Sequence, residues 1–141
     1  MRCTSASVRT SARYTSGRAL GLLDGCLTFA GRQREPARYF AAADASLLTS
    51  VAEGCPNVAL ESQALGVPIV LTRAAGSPEA VLDGVTGFVC EVGDIDALAA
   101  RLADLADHPD AARAMGERGR PFIAERFSIA RMVAETSAVH A

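Results

Sequence analysis

The fold is decided by a loop and helix start that read Ser50-Val-Ala-Glu53-Gly54-Cys55-Pro56-Asn57-Val58-Ala59-Leu60-Glu61. The apolar run Ala45–Thr49 before this stretch predicts a short strand, and Asn57–Leu65 predicts a helix that ends at Gly66. The β-branched run Pro68–Thr72 follows at once and predicts a strand buried on both faces. A strand, a helix and a strand in this order predict one unit of a parallel α/β sheet.

The same alternation extends in both directions from this unit. Leu98, Leu102 and Leu105 recur at helical spacing, and Gly116 and Gly119 are predicted to loosen the helix that follows. Further strands are predicted at Cys26–Ala30 and Phe88–Cys90, and further helices at Pro36–Ala43, at the single turn Pro78–Leu82, after the N-cap Asp94, from Asp110, and after the N-cap Ser128. The predicted fold class is therefore α/β, with a Rossmann-like parallel sheet flanked by helices.

The extent of the domain follows from the number of predicted strands. About four strands are fewer than a complete doubly wound domain has. We therefore expect a sheet that is incomplete at its N-terminus, formed by residues 20–141 with helices at the C-terminal end. Residues 1–19 are rich in Arg, Ser and Thr and are predicted to be disordered, although an organellar transit peptide has the same composition.

Charge and composition exclude several classes of protein. Residues 1–34 hold six Arg against the single acid Asp24, whereas the rest of the chain holds eight Arg against fifteen acids. A nucleic-acid-binding domain would present a basic face, so we expect no nucleic-acid partner. No apolar run approaches the ~20 residues of a membrane span. The two His and the widely spaced cysteines at positions 3, 26, 55 and 90 predict reduced thiols and no metal site.

The stretch from Ser50 to Glu61 has the features of an anion site. Ligands of open α/β sheets bind at the carboxyl ends of strands, and a helix N-terminus there offers free N–H groups to a phosphate. Pro56 has no N–H, so the donors are predicted to be Asn57 and Val58. Glu53 and Glu61 flank this position, and a carboxylate can accept both hydroxyls of a vicinal diol. On spacing alone, two solvated carboxylates explain the pair equally well.

Further motifs follow in a fixed order along the chain. Glu53-Gly54 and Glu61 are followed by Ala64-Leu-Gly66-Val-Pro68-Ile-Val70, Gly76-Ser-Pro78-Glu79, Asp83-Gly84-Val-Thr-Gly87, Gly93-Asp94 and Arg126-Phe127-Ser128, and preceded by Phe29-Ala-Gly31 and Ala42-Ala-Asp44. In this succession, over roughly residues 20 to 140, the chain resembles the retaining glycosyltransferases of family 4. The resemblance implies the C-terminal, donor-binding domain of a GT-B fold, truncated before its first strands.

The resemblance also implies a role for each residue of the site. Glu53 would contact hydroxyls of the donor sugar, and Gly54 with the amides of Asn57 and Val58 would face the sugar and the diphosphate. Glu61 would hold the ribose hydroxyls. The donor would be a UDP-, GDP- or ADP-sugar, and the acceptor a glycan, a lipid-linked molecule or a small molecule. No metal or other cofactor is expected, and the expected location is cytoplasmic, with peripheral attachment to the inner membrane face as an option.

The chain departs from the family pattern at three points. Ala75 replaces the first residue of a usual Gly-Gly pair, and Arg73 stands where a smaller or acidic residue is common. The Arg and Lys pair that neutralises the leaving diphosphate in the family has no match, since Arg32 and Arg34 come after its place. The leading hypothesis is therefore the donor-binding part of a retaining glycosyltransferase. The alternatives are a non-catalytic nucleotide-sugar-binding module or subunit, completed by a separate acceptor-binding protein, and a fragment without function.

Overall fold

The computed structural model describes residues 27–139. Three strands and five helices are present in this part of the chain, together with a 3₁₀ turn at Ser77–Ala80. In chain order they are α1 (Ala37–Ala41), β1 (Ser46–Leu48), α2 (Asn57–Ala64), β2 (Ile69–Thr72), β3 (Gly87–Cys90), α3 (Ile95–Asp107), α4 (Pro109–Arg126) and α5 (Ile129–Val139). None of the described helices is both long and apolar enough to cross a membrane.

The three strands form one parallel sheet in the order β1-β2-β3. The central strand β2 is buried at all four positions, as its β-branched sequence predicts. In register, Val70 lies between Leu47 and Phe88, and Leu71 lies between Leu48 and Val89. The predicted class, a parallel α/β sheet flanked by helices, is therefore confirmed.

Each face of the sheet is covered by its own hydrophobic cluster. Val70 and Cys90 pack with residues of α3 and α4, namely Leu98, Leu105 and Met115. On the other face, β2 packs with α2 and with the 3₁₀ turn through Ile69, Leu71, Ala59, Ala80 and Val81. Cys90 is a buried free thiol in the first of these clusters, where it packs as a small hydrophobe.

The glycines of α4 allow close packing, and the prediction that they loosen the helix is wrong. The helix is continuous over 18 residues. A Cβ at Gly116 would overlap the Gly66 carbonyl oxygen, and a Cβ at Gly119 would lie 3.0 Å from the Cβ of Gln63. Because Gly119 faces Gln63 of α2 and Gly116 faces Gly66 just beyond the end of α2, the lost helix propensity is exchanged for close packing of α4 on this segment.

The ends of the helices follow the sequence closely. Asp94 caps α3 by accepting a 2.9 Å hydrogen bond from the Ala97 N–H, and Pro109 stands in the first turn of α4. Phe127 ends α4 and packs edge-to-face on Phe122, with ring centres 5.9 Å apart. Ser128 Oγ accepts a hydrogen bond from the Arg131 N–H at the start of α5, as predicted.

The predicted strand Cys26–Ala30 is wrong over residues 27–30, which belong to no strand. A strand exists through hydrogen bonds to a neighbour, and β1 has its described neighbour, β2, on one side only. An apolar run can show strand propensity without showing whether a partner is in reach. Cys26 and the predicted disordered segment 1–19 lie outside the described residues.

Candidate functional site

The carboxyl ends of the three strands lie along one edge of the sheet, because the strands are parallel. Residues 49–56 follow β1, residues 73–76 follow β2, and residues 91–94 follow β3. All predicted site residues belong to the first of these segments or to α2, which it enters. The structure therefore places them at the edge where open α/β sheets bind ligands.

Glu53 is held in the loop after β1 by both its side chain and its main chain. The half-buried carboxylate accepts a 2.5 Å hydrogen bond at Oε1 from the Ser50 hydroxyl. The Glu53 carbonyl accepts a 3.1 Å hydrogen bond from the Gly76 N–H. Gly54, which comes next, is exposed, and a Cβ built on it would meet no atom of residues 27–139 within 4 Å. The loop thus presents one oriented carboxylate beside an open stretch of backbone.

The start of α2 leaves backbone N–H groups free. Pro56 is the N-cap, with an extended backbone and no side-chain cap, and the first helical hydrogen bond runs 2.9 Å from the Ala59 N–H to the Pro56 carbonyl. Among residues 27–139, the N–H groups of Asn57 and Val58 have no hydrogen-bond partner. Uncapped N–H groups and the positive end of the helix dipole together suit an anion.

Glu61 and Asn57 lie one turn apart on the exposed face of α2. The side chain of Val58 turns inward, where it packs against the cluster around Ile69. Within the described part of the chain, the Glu61 side chain forms no hydrogen bond or ion pair. The structure therefore groups Asn57 with Glu61 on the helix, while Glu53 stands apart in the loop.

The segment after β2 supports this loop from the side. A Cβ at Gly76 would overlap the Gly54 carbonyl oxygen, so the two segments touch through their backbones. Ala75, the replacement for a family glycine, adopts φ 41°, in the left-handed region that favours glycine. Partial burial and the nearby charge of Glu79 raise the pKa of the Cys55 thiol.

Arg73 and the turn before β3 each contact β3 or the residue that follows it. The Arg73 guanidinium pairs with Glu91 at 2.7 Å, which joins the ends of β2 and β3. In the turn before β3, Asp83 Oδ1 accepts from the Val89 N–H at 2.9 Å, and Gly84 has φ 73°. The carboxylate bond and the left-handed glycine together form the turn before β3.

Sequence reasoning missed Ser50 and Thr72. The Thr72 hydroxyl donates to the carbonyl oxygen of Ser50, and the Ser50 hydroxyl in turn donates to Glu53. The signal for Ser50 was present, since a serine three residues before a loop carboxylate can bond to it locally. Thr72 gave no such signal, because its partner lies 22 positions away along the chain.

An apolar groove lies next to the site, between β1 and α3. It encloses about 510 Å³ and is bounded by Leu47, Thr49 and Val51 on one side and by Ile95, Leu98 and Leu102 on the other. Val51 and Ile95 are 78% and 75% exposed. We refer to these six residues as the carboxyl-edge groove.

Comparison with known proteins agrees with this fold and loop. The family model described as "Glycosyl transferases group 1" matches residues 7–108, so the chain belongs to that family of transferases. The match begins inside the Arg- and Ser-rich stretch 1–19.

Two relatives illustrate the similarity in sequence. N-acetyl-α-D-glucosaminyl L-malate synthase of Bacillus anthracis is 37% identical over 112 residues, which are 79% of this chain and 29% of that enzyme. The GDP-mannose-dependent α-(1-6)-phosphatidylinositol monomannoside mannosyltransferase of Mycolicibacterium smegmatis is 48% identical over 68 residues, 48% of this chain and 18% of that enzyme. The aligned part thus spans less than a third of either relative.

Solved structures show the same fold. Anabaena HepE in complex with UDP superposes with a TM-score of 0.82 at 24% identity, over 91% of this chain and 36% of that one. Sucrose-phosphate synthase from Thermosynechococcus elongatus superposes with a TM-score of 0.81 at 25% identity, over 91% of this chain and 33% of that one. These neighbours are GT-B glycosyltransferases, and this chain has the fold of about a third of each of them.

Proposed function

We propose that this chain binds the nucleotide-sugar donor of a retaining glycosyltransferase, which moves the sugar from a nucleoside diphosphate to an acceptor hydroxyl. One observation carries the proposal: the oriented carboxylate of Glu53 and the free N–H groups at the start of α2 belong to one continuous segment that follows β1 at the carboxyl edge of the sheet. An anion and a diol fit side by side at such a place. HepE, a structural neighbour, is described in complex with UDP and with UDP-glucose.

Each proposed contact follows from the chemistry of one group. The N–H groups of Asn57 and Val58 would hold the diphosphate, whose negative charge grows as the sugar leaves, so oriented donors stabilise the transition state more than the ground state. The exposed backbone at Gly54 admits the sugar, and the Glu53 carboxylate would accept from its hydroxyls. Glu61, one turn into the helix, would accept from the ribose hydroxyls.

We propose that donor binding needs no metal, since the helix start itself supplies positive potential to the diphosphate. Removal of divalent cations with EDTA is expected to leave the affinity for UDP-glucose unchanged in calorimetry. Loss of binding that Mg²⁺ or Mn²⁺ restores would contradict this. A cytoplasmic location is proposed as well, because Cys55 is an exposed free thiol of the kind that a reducing compartment maintains.

A second candidate is a non-catalytic nucleotide-sugar-binding module or subunit. One observation favours it: Arg73, the basic residue at the end of β2, pairs with the Glu91 carboxylate, whereas transfer relies on cations that face the leaving diphosphate. Incubation of the chain alone with a UDP-sugar and a sugar acceptor is expected to give no transfer, whereas robust turnover would contradict the binding-module alternative.

The test of donor binding is calorimetric titration with UDP-, GDP- and ADP-glucose. We expect one of the three to bind, and Glu61→Ala to weaken it about tenfold, the effect of losing hydrogen bonds to a charged group. Glu135→Ala is the matched control, since Glu135 is an exposed glutamate of α5 that pairs with Arg131. Equal affinity of Glu61→Ala and wild type would remove Glu61 from the site.

A further inference from the structure

The loop that carries Glu53 is attached at three points to the last residue of β2 and to the segment that follows it. The Thr72 hydroxyl donates to the Ser50 carbonyl oxygen. The Gly76 N–H donates to the Glu53 carbonyl oxygen at 3.1 Å, and the Cα of Gly76 lies against the Gly54 carbonyl. The backbone from Ser50 to Gly54 is therefore fixed by contacts with residues that are far from it in the sequence.

On this fixed backbone, the Ser50 hydroxyl determines the position of the Glu53 side chain. It lies 2.5 Å from Oε1, and both residues belong to the same short loop. A free Glu side chain loses rotamer entropy when it is ordered. A hydrogen bond that already orders the carboxylate removes part of this cost from ligand binding, and the second oxygen stays free to accept from a ligand.

We propose that Ser50 is a positioning residue for the Glu53 carboxylate and so increases the affinity for the sugar part of the donor. The inference rests on the proposed function, because the contribution of Glu53 to affinity can be measured only with a ligand that carries a sugar. It has a specific consequence: Ser50 affects the contacts of the sugar and leaves the contacts of the nucleotide unchanged. The N–H groups of Asn57 and Val58 lie beyond Pro56 and do not depend on the Ser50 hydroxyl.

The experiment compares UDP-glucose with UDP on the full chain by calorimetry, or the GDP or ADP pair if wild type prefers that base. Ser50→Ala is expected to weaken UDP-glucose about fivefold and to leave UDP within twofold of wild type. Ser50→Thr keeps the hydroxyl and is expected to restore UDP-glucose affinity to within twofold. Glu53→Gln is expected to lose the preference for UDP-glucose, while the remote Ser128→Ala keeps it.

Each contrary result has its own meaning. If wild type prefers UDP-glucose to UDP and Ser50→Ala keeps the same preference, the inference is wrong and the proposed function stands. If Ser50→Ala weakens UDP and UDP-glucose equally, with a lower melting temperature, Ser50 is a structural residue and the inference is again wrong. If wild type binds none of the nucleotides or nucleotide-sugars, the proposed function fails and the inference fails with it.

Discussion

The centre of the molecule and its carboxyl edge use the same aliphatic side chains but cover them very differently. Around β2, Ile69, Val70 and Leu71 are fully buried, and the backbone of α4 touches the backbone at Gly66, just beyond the end of α2. In the carboxyl-edge groove, Val51 and Ile95 are mostly exposed. The difference indicates that stability comes from the centre, whereas the edge keeps free donors, carboxylates and apolar surface for other partners.

The largest loss of stability is expected where α4 packs against the end of α2. Gly116→Ala adds a methyl group that overlaps the Gly66 carbonyl oxygen, and a backbone atom cannot move aside cheaply. The clash should outweigh the gain of about 1 kcal/mol in helix propensity. The variant should therefore lose about 3 kcal/mol or more of its free energy of unfolding.

Urea unfolding followed by circular dichroism measures this cost. Gly119→Ala is the matched control, because its added Cβ would face a Gln63 side chain at 3.0 Å and its cost should be clearly smaller. A Gly116→Ala protein as stable as wild type would show that the two helices can move apart freely.

The next largest loss of stability is expected from a comparison of two leucines in neighbouring strands. Leu71→Ala in β2 leaves a cavity in a fully buried position and should cost about 3 kcal/mol. Leu47→Ala in β1 removes a side chain that is 41% exposed, so it should cost less than about 1 kcal/mol. Similar losses for both variants in the same denaturant titration would mean that the groove is covered in solution and that the contrast with the centre is false.

Replacement of Ala75 by glycine is expected to give a small gain in stability. Its φ of 41° lies in the left-handed region, which costs a residue with a Cβ about 1–2 kcal/mol relative to glycine. Ala75→Gly relieves this cost but gives the unfolded chain more freedom, worth about 0.4–1 kcal/mol, so the net gain should be about 0.5 kcal/mol. Thermal unfolding measures it. Ala74→Gly, at a buried position without left-handed backbone, should destabilise instead.

The two described cysteines give the smallest contrast, in reactivity. Partial burial and the charge of Glu79 raise the pKa of the Cys55 thiol, so the thiolate is scarce at pH 8 and alkylation by iodoacetamide should be slow. Glu79→Gln removes the smaller of these two causes, so it lowers this pKa and should speed alkylation modestly. Peptide mass spectrometry follows Cys55 and Cys90 separately. Buried Cys90 should stay unmodified until urea unfolds the chain, and labelling of Cys90 before Cys55 would reverse the comparison.

Local patterns were enough to predict the centre of the molecule and the start of α2. The run Pro68–Thr72 predicted β2 within one residue, and Asn57 is the first residue of α2 as expected. Patterns of this kind work because the residues that matter are near one another in sequence. Two predictions failed, for residues 27–30 and for the glycines of α4, and both depend on partners that are distant along the chain. Neither the hydrophobic periodicity nor the secondary-structure propensity of a segment indicates such partners.

The same limit applies to the candidate site. The sequence indicated Glu53, Glu61 and the N–H donors of Asn57 and Val58, and their contacts with a ligand remain predictions. It could not indicate that Gly76 lies against Gly54, since that contact joins two loops separated by a helix and a strand. The glycine at position 76 is explained by that contact before any ligand is considered.

The two ends of α2 differ in how their charge is compensated. At its C-terminus the Arg120 guanidinium donates to the carbonyls of Leu65, at 2.8 Å, and Ala64, whereas no side chain caps its N-terminus. The negative pole thus has a cation beside it, although Glu117 shares that guanidinium at 3.1 Å, whereas the positive pole, about 12 Å away along eight residues, has no such partner among the described residues. The effect of a helix dipole falls off within about one turn, so the free end acts on an anion in direct contact with it and does not steer anions from solution.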